Sequence, residues 1–115
     1  MINLMYFGEK NGKPGPQKVL VKVQYFNGGM VNEELEHIEK HSPDGFNWGY
    51  GGSGPADLAY AILVDFCDRR RMPENIPEKY YQEFKETFVV KFEEKFEIDD
   101  HVIGKWIDEK VKLCL

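Results

Sequence analysis

Lys18-Val19-Leu20-Val21-Lys22-Val23-Gln24-Tyr25-Phe26-Asn27-Gly28 decides how the first part of this chain folds. Val19, Val21, Val23 and Tyr25 fall on one side of an extended chain and Lys22 and Gln24 on the other, the period-two signature of a strand with one buried face. Asn27-Gly28 follows at once. An Asn-Gly pair accepts the positive φ angles of a tight hairpin turn, so Met30 to Asn32 is expected to return antiparallel. Upstream, Ile2 to Phe7 is a short apolar run of strand formers, and the glycines and prolines between Gly8 and Pro16 break regular structure after it. A small antiparallel sheet from the N-terminal third follows. Val31 to His41 is ambiguous: Leu35 and Ile38 suit a short helix with Glu34, Glu36 and Glu39 in solvent, and strand or loop fits as well.

Beyond the turn Ser42-Pro43-Asp44-Gly45 the periodicity changes. Pro55 to Arg71 reads as the central helix, apolar at Leu58, Ala59, Ile62, Leu63, Phe66 and Cys67, with Asp57, Ala61, Asp65 and Asp68 as a narrow polar edge. Arg69-Arg70-Arg71 lies in its last turn, where cations meet the negative end of the helix dipole, and Pro73 and Pro77 stop it. A second helix is predicted from Pro77-Glu78, with Tyr81, Phe84, Phe88 and Phe92 on one core-facing stripe. Phe96 and Ile98 bridge to Asp99, an N-cap for a third helix carrying Ile103, Trp106, Ile107 and Val111. The expected fold class is α+β, a small antiparallel sheet packed on three helices in a single domain spanning residues 1–115.

At 115 residues the chain can bury one core and not two. Its 42% hydrophobic content, with eight Phe and six Tyr, predicts an aromatic-rich globule rather than a disordered chain. A net charge of −5 supplies no basic field for phosphates, which disfavours nucleic acid as a partner. Cys67 and Cys114 have no CxxC or Cys/His neighbour and are expected to be free thiols. The chain lacks a signal-like start, and its apolar runs fall short of the roughly 18 to 20 residues of a membrane span, so a soluble cytoplasmic protein is expected.

Gly45-Phe46-Asn47-Trp48-Gly49-Tyr50-Gly51-Gly52-Ser53-Gly54-Pro55-Ala56 is the candidate site, with five glycines and three aromatics leading into the central helix. Ser53-Gly54-Pro55 reads as a cap and first turn. Amides at a helix N-terminus attract anions, and the rings of Trp48 and Tyr50 offer stacking faces, so Trp48, Tyr50, Gly51, Gly52, Ser53 and Gly54, with His41 and Asp44 as polar neighbours, are the expected ligand-binding residues. Against phosphate, the loop has no Gly-Lys-Ser/Thr ending, Pro55 removes a donor and Asp57 adds negative charge. A competing reading has the glycines laying Phe46, Trp48 and Tyr50 over the central helix, with Ser53 or Asp57 satisfying its free amides.

Catalytic patterns fit poorly. A nucleophile elbow needs Gly two residues after its serine, and Pro55 stands there after Ser53. His37 and His41, with Glu33 one turn earlier, have helical metal spacing but no H-E-x-x-H context. No catalytic residue, metal or cofactor is assigned.

The segment His41-Ser42-Pro43-Asp44-Gly45-Phe46-Asn47-Trp48-Gly49-Tyr50-Gly51-Gly52-Ser53-Gly54-Pro55-Ala56-Asp57-Leu58-Ala59 resembles the signature of a small family of phage and prokaryotic proteins known only as a domain of unknown function. Tyr80-Tyr81-Gln82-Glu83-Phe84-Lys85 and Ile103-Gly104-Lys105-Trp106-Ile107 resemble its later elements. The resemblance implies a phage or mobile-element accessory acting against a host defence system, with no reaction to carry over. The expected function is a non-catalytic binding protein that sequesters a nucleotide-type ligand through loop 45–54. The alternatives are an inhibitor that occupies a host defence protein without any small ligand, and an enzyme acting on a nucleotide-like substrate. Self-association is left open.

Overall fold

A computed structural model describes residues 2–113 of the protein; the expectation for Cys114 lies outside the described residues. Strands β1 (Ile2–Glu9), β2 (Val19–Tyr25) and β3 (Met30–Glu34) come first, then helices α1 (Ser53–Arg70) and α2 (Asn75–Thr87), strand β4 (Lys95–Asp99) and helix α3 (Asp100–Leu113). The sheet runs β3-β2-β1-β4, antiparallel throughout. Tyr6 sits opposite Val21 on one side and Ile98 on the other. That row, with Leu4, Val19, Val23 and Phe96, turns inward to the helices, while Met5, Phe7, Leu20, Lys22 and Glu97 occupy the uncovered face.

The predicted class holds, with one strand more than the N-terminal third supplies. Lys95–Asp99, read as a bridge, pairs with β1 as the other sheet edge. Its alternation of exposed Lys95, Glu97 and Asp99 with buried Phe96 and Ile98 is only five residues long, and the partner strand is distant in sequence. Val31 to His41 divides into strand up to Glu34 and irregular chain after it. The hairpin at Asn27-Gly28 forms as expected, with Gly28 at φ 94°.

α1 is buried along most of its circumference, from Gly54 to Cys67. Asp57, expected on its polar edge, is fully enclosed. The Arg run stabilises more than the helix end. Arg69 donates Nε to Asp65 at 2.9 Å and Nη2 to Glu33 of β3 at 2.6 Å, and Tyr6 Oη donates to the same Asp65 at 2.7 Å. Arg70 reaches the Ile2 carbonyl at 2.9 Å and the Asp100 carboxylate. Both cations therefore lock the helix to the sheet. The chain leaves α1 through Arg71, which takes a left-handed conformation at φ 55°.

α2 opens at Asn75, two residues before the predicted start, because Pro77 lies in a first turn where its missing N–H costs nothing. Phe84 and Phe88 pack on Trp106 of α3, with ring centroids 5.4 and 6.0 Å away. Phe92 lies beyond the helix, past a 3₁₀ turn at Val89–Lys91, and stacks on Phe96 at 4.2 Å. α3 begins as expected: the Asp99 carboxylate accepts the Val102 amide at 3.0 Å, an N-cap bond.

Candidate functional site

The chain between β3 and α1 crosses the helical layer and is held there by Asp57. This carboxylate accepts the backbone amides of Lys40 at 3.2 Å, His41 at 2.8 Å and Ser42 at 3.1 Å, and bonds His37 Nε2 at 2.9 Å. Three successive amides folded around a carboxylate make a small anion nest whose anion the protein supplies itself. Burial pushes the Asp57 carboxyl up, and the bonds from His37 and the three amides outweigh that, holding it below the usual carboxylate range.

The loop that follows is partly core. Trp48 has 0% of its surface exposed, its indole N–H donates to the Glu93 carbonyl at 2.7 Å, and its ring meets Phe96 edge-on at 4.8 Å. A Cβ on Gly8 would lie 2.9 Å from both rings, so the β1 backbone lies directly against them. Trp48 was expected as a stacking face and presents none; a large apolar ring gains most by leaving water, and the glycines around it let the backbone fold over it. Phe46 is buried beside it. Gly49 takes φ 88° and donates its amide to the Val89 carbonyl at 3.1 Å, tying the loop to the 3₁₀ turn.

The rest of the loop stays outside. Tyr50 is 48% exposed. Gly51 and Ser53 are exposed, Gly52 is half-buried, and Gly54 is buried, packed so tightly that a Cβ would lie 3.0 Å from Asn47. Ser53 is the first helical residue rather than the cap; Gly52 takes the cap position, with no side-chain cap bond. Lys10 donates Nζ to the Trp48 carbonyl at 2.8 Å and stands 5.9 Å from the Tyr50 ring centre. Asp44 is exposed in its turn, and exposed His41 turns to α2, bonding Tyr81 Oη through Nε2 at 2.7 Å, whereas Tyr50 has Lys10 beside it. A cleft of about 420 Å³ lies instead on the uncovered sheet face, between Phe7, Leu20, Lys18, Lys95 and Glu97.

A different surface stands out at the β2–β3 hairpin. Of seven large hydrophobic side chains exposed among the described residues, four are Tyr25, Phe26, Met30 and Val31, all at this tip. Phe26 is 89% and Met30 59% exposed. Isolated exposed apolar residues are ordinary, whereas a contiguous group is a mark of interaction surfaces.

A family model described as a family of unknown function, DUF6166, matches residues 6–109, which include every strand and helix described here except the ends of β1 and α3. The chain belongs to the DUF6166 family. No curated protein and no solved structure matches it.

Within this DUF6166 fold the two histidines nearest the loop are each engaged with another side chain. His37 is committed to Asp57 and His41 to Tyr81, so neither nitrogen used in those bonds is open to Ser53. Among the described residues no three His, Cys, Asp or Glu side chains are grouped to hold a metal ion, and no helix is long and apolar enough to cross a membrane. The hairpin tip was missed in the sequence because Tyr25 was placed on the buried face with the valines. The signal was present: Tyr25-Phe26 and Met30-Val31 flank the Asn-Gly turn, where a strand has already run past the helices that could cover it.

Proposed function

We propose that this DUF6166 protein is a non-catalytic binding protein that works by occupying another protein, with the β2–β3 hairpin tip as its contact surface. The observation that carries the reading is Phe26, 89% exposed at the turn, with Tyr25, Met30 and Val31 exposed on the strand ends that flank it. Burying a Phe or Met side chain is worth about 1.5–3 kcal/mol each, enough for two such anchors to dominate a small interface. The enclosed Trp48 supports this reading over a nucleotide-stacking loop. A phage or mobile-element accessory that disables a host defence protein would act in this way, by covering a surface rather than by chemistry. A photo-crosslinking residue at position 26, used in cells, is expected to capture a discrete protein partner, and Met30→Ser should abolish the adduct without lowering the melting temperature. Adducts formed from position 50 and none from position 26 would reject it.

A second reading keeps a nucleotide-type anion at the rim of the loop. It is favoured by the N-terminus of α1, which has neither a side-chain cap nor an acidic residue in its first turn, beside exposed Tyr50 and half-buried Lys10. Stabilisation by a nucleotide that disappears in Tyr50→Ala and persists in Phe26→Ser would favour it.

A further inference from the structure

The hairpin tip continues into a sheet edge whose backbone is open. Leu35 donates its amide to the Val19 carbonyl at 2.9 Å, and Tyr25 donates to Gly29 at 2.7 Å. Bonded and non-bonded pairs alternate along an antiparallel ladder. With Val21 opposite Glu33 and Val23 opposite Val31, the odd-numbered residues of β3 therefore bond β2, and the N–H and C=O groups of Met30, Asn32 and Glu34 point away from the sheet. Proteins blunt such edges with charge, proline or a bulge; Met30-Val31-Asn32-Glu33-Glu34 has no lysine, proline or bulge and its register is unbroken, so its only guard is the negative charge of Glu33 and Glu34, which admits a basic partner. The edge also changes character along its length. It is apolar at Phe26 and Met30 and acidic further on, where Glu34, Glu36 and Glu39 are all exposed.

We propose that the outer edge of β3 accepts an extended segment of a partner protein as a fifth strand, with Lys or Arg side chains toward Glu34 and Glu36 and an apolar side chain against Phe26 and Met30. This deepens the binding reading above and rests on it. Main-chain hydrogen bonds supply the attachment, and the two ends of the edge supply the selectivity. A second copy of this chain fits worse: antiparallel self-pairing about Asn32 sets Glu34 of each copy against Met30 of the other, a carboxylate against an apolar side chain.

The test uses a library of random peptides about twelve residues long, panned on the purified full-length protein. Enriched peptides are expected to combine Lys or Arg with β-branched residues and an apolar end, and to slow hydrogen exchange of the Met30, Asn32 and Glu34 amides at least tenfold. Asn32→Pro removes an outward N–H that β2 does not use, a place where an edge strand tolerates proline, so it should weaken binding at least tenfold. Glu36→Lys should weaken it several-fold, more at low salt than at high. Exchange in the unmodified protein serves as the deciding measurement if Asn32→Pro alters the circular dichroism spectrum. No enrichment, enrichment of acidic or uncharged peptides, or binding without protection of these three amides overturns the proposal. If Phe26→Ser abolishes binding and a folded Asn32→Pro binds normally, the hairpin contact stands and strand addition fails; if neither substitution matters, both fail.

Discussion

Asp57→Ala is expected to lower folding stability by about 3 kcal/mol. The side chain is 0% exposed and accepts four hydrogen bonds, three of them from the consecutive amides of Lys40, His41 and Ser42. A buried donor left without its acceptor costs about 1–3 kcal/mol. The full sum does not apply, because the Lys40 and His41 amides lie near the surface and regain water when the strap lifts, whereas Ser42 is buried and its amide is stranded. One full penalty and two reduced ones give the figure, since the His37 side chain, 26% exposed, turns to water. For a domain of this size about 1 kcal/mol moves the melting temperature by about 4 °C, so a fall of about 12 °C is expected in a thermal melt. Asp57→Asn keeps one acceptor but turns an NH₂ group toward donors, and should fall between the two. The ionised carboxylate also makes the effect pH-dependent. Its folded value lies below its unfolded one, so the stabilisation is complete above the unfolded value near 4 and is lost as the pH falls through the folded value. The gap between the parent protein and Asp57→Ala, read from urea midpoints, should hold steady down to about pH 5 and narrow as the pH falls below it toward about pH 3. A change in melting temperature below about 2 °C, or a gap that widens in acid, would refute the reasoning.

Trp48→Ala should destabilise by about 3–5 kcal/mol, since the ring is wholly enclosed; a variant that melts with the parent would place the ring outside the core. Gly8→Ala should cost about 1–3 kcal/mol in chemical denaturation, because its Cβ would stand 2.9 Å from Trp48 and Phe96 and 3.2 Å from the Lys18 carbonyl. Burial pushes the Cys67 thiol up to about 11. In a Cys114→Ser background it should therefore react with a disulfide reagent near pH 8 roughly 100-fold more slowly when folded than in urea, and equal rates would contradict its burial.

What the sequence determined by itself was local. The valine alternation of β2, the Asn-Gly hairpin, the apolar density of α1 and the Asp99 cap of α3 each depend on residues within a few positions, where backbone sterics and hydrophobic period leave one economical solution. The loop at 45–54 was legible as special but not as to its purpose. Glycines beside aromatics permit either an open binding rim or a backbone folded tightly over a buried ring, and the composition is the same for both. The structure divides the loop, with Phe46 and Trp48 inside and Tyr50 outside. Tertiary structure alone decided three further matters: that Lys95–Asp99 joins β1, that Asp57 faces the amides of residues 40–42 rather than solvent, and that the hairpin tip is left uncovered. Each depends on which distant segment lies opposite. A residue's own chemistry states what it can bond or bury, while the folded chain determines which partner reaches it.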